Sequence, residues 1–232
     1  MGRARLSGLA FGVCLVVSVA STCGATVLFS DDSESGNLDR WNLVTGSWIV
    51  EEEEGNHYAR TDGGPFRIIN IAGRTFDDIT ITARMWHVSK DHGANIYARN
   101  DGARSGYWFG ISGPLDAAGW GMFHHGGQTI EGVLVASSPL DTWVTLEVTM
   151  TGRSATMSAV LEGGGVLGET AFDIPDIADA SGLDMPEGFF GFIVAGAQVR
   201  IDDVVVTGDA DSVAVQPEGS AAMAWGSLKT AP

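Results

Sequence analysis

The chain has 232 residues, a formal charge of −16, 44% apolar residues and only 18% charged ones. That length and apolar share suit one large all-β domain with a proper core and exclude disorder of the whole chain. The acidic balance excludes a nucleic-acid surface and a basic membrane patch, since both need clustered cations and the only lysines are Lys90 and Lys229.

In chain order, Met1–Ala25 reads as a secretory leader: Arg3 and Arg5 form a positive start, and Leu6 to Ala20 is an apolar run too short to span a bilayer comfortably. Cleavage is expected after Ala25, with Ala20 as the other candidate. Both cysteines, Cys14 and Cys23, fall in this leader, so the mature chain is expected to carry no thiol and to owe nothing to disulfides. Loss of Arg3 and Arg5 makes the exported chain more acidic still, hence soluble and attractive to cations.

From Thr26 to Gly208 the dominant period is two, broken every 8 to 12 residues or so by Gly, Asn or Asp, the pattern of stacked antiparallel sheets. Ile79 to Met85 alternates cleanly, with Ile79, Ile81, Ala83 and Met85 on one face and Thr80, Thr82, Arg84 and Trp86 on the other. Trp143 to Met150 does the same, with Val144, Leu146, Val148 and Met150 inward. Further strands are predicted around Trp48–Glu52, Phe66–Ile71, Ala94–Arg99, Tyr107–Ile111, Trp120–His124, Val133–Ala136, Ala155–Leu161, Phe189–Val194 and Val199–Thr207. Turns fall at Asp62-Gly63-Gly64, Asn100-Asp101-Gly102, Gly126-Gly127 and Gly163-Gly164-Gly165. No amphipathic helix and no internal linker is found, so residues 26–208 read as one domain. Asp209–Pro232 loses the alternation and reads as a flexible tail, whose apolar end Met223 to Lys229 suits a short docking or sorting element.

Five stretches, in order, carry a resemblance. Leu28-Phe29-Ser30-Asp31-Asp32-Ser33-Glu34 to Trp41, with Gly46-Ser47-Trp48, resembles the acidic opening and first strand of concanavalin A-like (laminin G-like) jelly-roll domains of secreted bacterial proteins. Ala94 to Asp101 and Gly106 to Ile111 are similar to their central stretch, Asp141 to Val148 to a further strand, and Gly188 to Phe192 and Ile201 to Val206 to their close. One departure is Ser33, where the pattern usually has Phe. The resemblance implies an all-β, two-sheet antiparallel jelly-roll sandwich that binds carbohydrate or belongs to a carbohydrate-processing protein. Such relatives include carbohydrate-binding modules and the 3-keto-disaccharide hydrolase domain.

Glycoside hydrolysis by paired carboxylates needs two acids facing one sugar about 5 to 9 Å apart. Glu51 to Glu54 reads instead as a solvated strand end, and Glu147 stands alone. Aromatic residues are the better lead, because a sugar ring stacks its C–H face on an indole while its hydroxyls meet a few fixed polar groups. If their strands are neighbours, Trp86, Arg99, Asp101, Trp108, Trp120 and His124 line one concave face; Trp41, Trp48 and Trp143 belong to the framework. No zinc spacing joins His87, Asp91, His92, His124 and His125, and the G-x-G-x-x-G at Gly163–Gly168 is a hairpin rather than a nucleotide loop. Calcium is expected between the terminal strands, where Asp32 and Glu34 would meet Asp202 and Asp203 in an oxygen cage; the resemblance supports it. The expected function is that of a secreted, non-catalytic carbohydrate-binding module. A hydrolase of the 3-keto-disaccharide type and an adhesion domain without a sugar site are the alternatives.

Overall fold

The computed structural model describes residues 25–87, 93–112, 117–124, 127–135, 140–174, 187–196 and 198–215. The expected leader, except Ala25, lies outside them. So do Asp91, His92, His125 and residues 216–232, which hold the apolar end of the tail.

Alternation produces two layers, all of whose strand pairs are antiparallel. One sheet has eight strands. It runs β14 (Val166–Asp173), β13 (Ser154–Leu161), β12 (Trp143–Thr151), β7 (Ile79–His87), β16 (Gln198–Gly208), β4 (Asn56–Asp62) and β3 (Ile49–Glu53), with β1 (Thr26–Asp31) also on β16. The other has seven: β11 (Gly127–Val135), β10 (Ala117–His124), β9 (Gly106–Ser112), β8 (Gly93–Asn100), β15 (Phe189–Ala195), β5 (Arg67–Ile71) and β2 (Trp41–Thr45). A two-stranded ribbon joins β6 (Arg74–Phe76) to β17 (Val213–Val215). The boundary expected at Gly208 is therefore corrected: Asp209 to Val215 belongs to the fold, because a short helical turn at Ala210–Ser212 returns the chain to pair with β6. Strand β4 was not expected either, since it opens on Asn56 and His57, polar residues that read as loop.

The core lies between the sheets. Ile79, Ile81, Ala83 and Met85 of β7 and Val144, Leu146, Val148 and Met150 of β12 are all buried, as their alternation requires. They meet Ile96, Phe109, Phe190 and Phe192 from the facing sheet. Full burial of one such side chain stabilises the fold by roughly 1.5–3 kcal/mol.

β16 organises one end of the molecule. Its first half pairs with β4, from Gln198 to Ile201, and its second half with β1, from Val204 to Gly208. Between them Asp203 adopts a positive φ of 47° and the β16–β7 register shifts, a β-bulge that turns two adjacent carboxylates toward one another's strand neighbours. The corner holding Ser33 is also specialised: Ser33 is buried at φ 59°, its N–H donates to Asp31 Oδ1, and it borders a small void walled by Trp41, Trp48, Ile69 and Phe192.

Candidate functional site

Register places one row of large side chains across the outer face of the eight-stranded sheet. Trp143 of β12 stands opposite Trp86 of β7, Trp86 opposite Arg200 of β16, and Arg200 opposite Arg60 of β4. Each points outward because its neighbours along the strand, Val144, Met85, Val199 and Ala59 among them, point into the core.

Packing within the row is dense and alternates ring with cation. Trp86 meets Trp143 edge to face at 5.5 Å, and Tyr58 meets Trp143 at 6.2 Å. The Arg200 guanidinium lies 4.7 Å from the Tyr58 ring centre and 5.2 Å from that of Trp86, while Arg84 lies 4.6 Å over Trp143. Carboxylates hold these cations. Arg200 donates to Glu53, Arg60 to Glu51 and Asp62, and Arg84 to Asp203 at 2.9 Å and Glu162 at 3.3 Å. Glu53, Glu54, Asn56, Arg84, Trp86 and Arg200 surround an open hollow of about 480 Å³, with Tyr58 and Trp143 in its wall. A hollow of this kind offers apolar rim, donors and acceptors within one sugar's reach.

Asp202, 2% exposed, lies at the inner end of the same region. Burial raises its carboxyl above the ordinary range, partly offset by Asn56 Nδ2, which donates to it at 3.1 Å, by the Asp203 N–H and by Arg84 at 3.5 Å.

The six residues expected to line one face do not share one. Trp86 is on the outer face of the eight-stranded sheet, half-buried; Arg99, Trp108 and Trp120 belong to the other sheet, and Asp101 follows its β8. Trp120 points into the core, where it stacks on Phe172 with ring centres 3.9 Å apart and planes 5° apart. Arg99 is buried and donates to Asp77 O, Gly152 O and Asp78 Oδ1, which ties the end of β8 to the β6–β7 and β12–β13 turns. Asp101 is a turn residue: its Oδ1 accepts from the N–H groups of Ala103 and Ser105. The side chain of His124 lies outside the described set.

Trp108 does sit on an outer face, that of the seven-stranded sheet, but it is fully buried there in a second apolar cluster with Ile68, Tyr97, Phe123 and Ile193. Its indole lies flat because its cross-strand neighbour is Gly121; a Cβ there would come within 2.8 Å of the ring. Its Nε1 donates to Thr129 O. Two polar atoms on this face, Asn95 Oδ1 and the Tyr97 hydroxyl, are buried with no hydrogen-bond partner among the described residues.

The expected calcium cage does not form from its four residues. Asp32 and Asp203 border one hollow, but Glu34 is turned to His57, accepting from its N–H at 3.1 Å and lying 2.9 Å from its Nδ1. Asp202 and Asp203 both reach Arg84, at 3.5 and 2.9 Å, so each already has a cationic partner. Among the described residues no group of three or more His, Cys, Asp or Glu side chains is gathered for a metal. The donor set does not fit calcium.

Tyr58, Arg84, Arg200 and Glu53 escaped the sequence reading. The signal available was the alternation Val199-Arg200-Ile201, which puts Arg200 outside, but not the strand that stands beside it.

No protein-family model matches the sequence, and no curated protein matches it in sequence. Solved structures do. The carbohydrate-binding module CBM66 of Bacillus subtilis superposes with a TM-score of 0.55 at 16% identity, over 74% of this chain and 98% of that one. The fold is the concanavalin A-like jelly roll. The lectin I of Ulex europaeus, solved with the methyl glycoside of α-L-fucose, shares this jelly roll with a TM-score of 0.55 at 11% identity, over 77% of this chain and 96% of that one. The exoplasmic/lumenal domain of VIP36, solved in a Ca2+- and Man3GlcNAc-bound form, shares it at 0.50 and 13% identity, over 72% and 84%. Among the described residues no helix is long and apolar enough to cross a membrane.

Proposed function

We propose that this jelly roll is a secreted carbohydrate-binding module, and that it holds its sugar in the hollow on the outer face of the eight-stranded sheet. The observation that carries this reading is the row Trp143, Trp86, Arg200, Arg60, in which the half-buried Trp86, backed by the buried Trp143, lies directly beside guanidinium donors and carboxylate acceptors. Sugar rings need that pairing of apolar rim and fixed polar groups. The likeness of the fold to a carbohydrate-binding module and to lectins supports it, and the leader-like Met1–Ala25 supports export.

Binding without hydrolysis fits the carboxylates. Glu51 and Glu53 share one face of β3, but each is ion-paired to an arginine, Arg60 and Arg200 respectively. Acids clamped in this way are poor proton donors to a leaving sugar. The test is a glycan-array screen of the exported chain, repeated with Trp86→Ala. Retention of at least one glycan class by the parent and its loss in the variant is the expected result; an array blank for the parent would end this reading.

A further inference from the structure

We infer that the hollow selects an uncharged glycan and turns away uronate-bearing ones, an inference that rests on the sugar-binding reading above.

The argument is one of charge and of hydrogen-bond inventory. Among the described residues Arg60, Arg84 and Arg200 are the cations on this face, and every one is already held by a carboxylate: Glu51 and Asp62, Asp203 and Glu162, and Glu53. Glu54 adds a further negative charge on the rim, and no ion pair joins it among the described residues. Carboxylates therefore outnumber cations across the patch, on a chain whose net charge is −16. An incoming uronate meets repulsion at contact distances, where screening by physiological salt, with a Debye length of about 8 Å, removes little of it. To gain an arginine, it would first have to displace an intramolecular carboxylate.

A hydroxyl faces no such barrier. Each Arg–carboxylate pair leaves unused N–H donors on the guanidinium and unused lone pairs on the carboxylate, and a sugar hydroxyl both donates and accepts. Vicinal hydroxyls can bridge the two members of such a pair without breaking it. The Trp86 rim beside Arg200 supplies the apolar contact. The site is thus matched to neutral polyols and mismatched to anions.

The experiment is isothermal titration of the full exported chain, at low and at high salt, with neutral polysaccharides (β-glucan, xylan, mannan, levan) and with polygalacturonate. At least one neutral polymer should bind with an affinity that changes less than about twofold between the two salts, while polygalacturonate should bind at least about tenfold more weakly. Removing one rim charge about 5 Å from the ligand is worth at least about fourfold even at the dielectric of water, so Glu54→Gln should raise polygalacturonate affinity relative to the neutral polymer by that factor or more. Polygalacturonate binding as tight as the neutral polymer overturns this charge selection while leaving sugar binding intact. Failure of every polymer overturns both.

Discussion

Trp86 and Trp143 face each other across the β7–β12 pair with ring centres 5.5 Å apart and planes 88° apart, on the outside of the eight-stranded sheet. Arg84 flanks Trp143 and Arg200 flanks Trp86, so the two indoles form the apolar middle of a strip whose ends are charged. The position separates residues that serve a surface from residues that serve the core.

Trp86→Ala should lower glycan affinity on the order of 1–3 kcal/mol while costing about 1 kcal/mol of stability through the lost edge-to-face contact. Trp108→Ala, by contrast, empties a fully buried site and should cost about 3–5 kcal/mol of stability. Paired melting and binding measurements check both. A Trp108→Ala chain that melts like the parent would contradict its burial.

Gly191→Ala should be poorly tolerated. A Cβ at this position would sit 1.9 Å from the Ile69 carbonyl oxygen and 2.6 Å from Asn70 Cα, both backbone atoms of the paired β5. Because no flexible side chain can yield, overpacking of about 3 kcal/mol is expected. Urea unfolding reads the midpoint, and an unchanged midpoint refutes the close approach.

Asp202 gives a pH signature. Its carboxyl titrates above the ordinary range because it is buried, so the folded chain binds that proton more tightly than the unfolded chain does. Such a group detracts from stability above its folded value, and the cost fades as the pH falls through it. Asp202→Asn, which retains an acceptor for the Asp203 N–H, should therefore melt above the parent at neutral pH, with the gap closing in acid. A gap that widened in acid would reverse the sign.

Glu34 behaves the opposite way. The His57 backbone N–H, and then the His57 ring, hold its carboxyl below the ordinary range, so its stabilising effect is present above the unfolded value and is lost as the pH falls through the folded one. With Glu34 turned to His57 and Asp202 and Asp203 both reaching Arg84, EDTA and added calcium should leave the melting temperature unchanged. A calcium-dependent rise would reinstate a metal site.

Much of this arrangement was legible in the sequence, and the reason is the strict period of β7 and β12. Branched and apolar residues at every second position fix which face enters the core, and with it the outward direction of Arg84 and Trp86. β8 and β9 show why the rest was not. Alternation assumes that one face meets water, yet every residue of β8 from Ala94 to Asn100 is buried, and the outer face of that sheet carries its own apolar cluster around Trp108. Aromatic residues there looked like a binding face when they were a second packed layer. Arg200 and Trp86, in turn, are neighbours only through the β16–β7 register, which no local pattern specifies. The run Glu51–Glu54 read as a solvated edge for the same reason: its arginine partners arrive from β4 and β16.

The division of β16 between two partners bears on how the domain carries load. Thr26 pairs directly with Gly208, so β1 begins beside the point where β16 finishes. A pull between those two points is applied at one end of an antiparallel ladder, and it opens the ladder one rung after another from Thr26 to Asp31 instead of stretching every rung together. The β17–β6 ribbon, which follows Gly208, takes tension arriving from the C-terminal side before β16 feels it. Anchored through its C-terminal end while holding a polymer on the sheet's outer face, the domain would keep β1 out of the line of force.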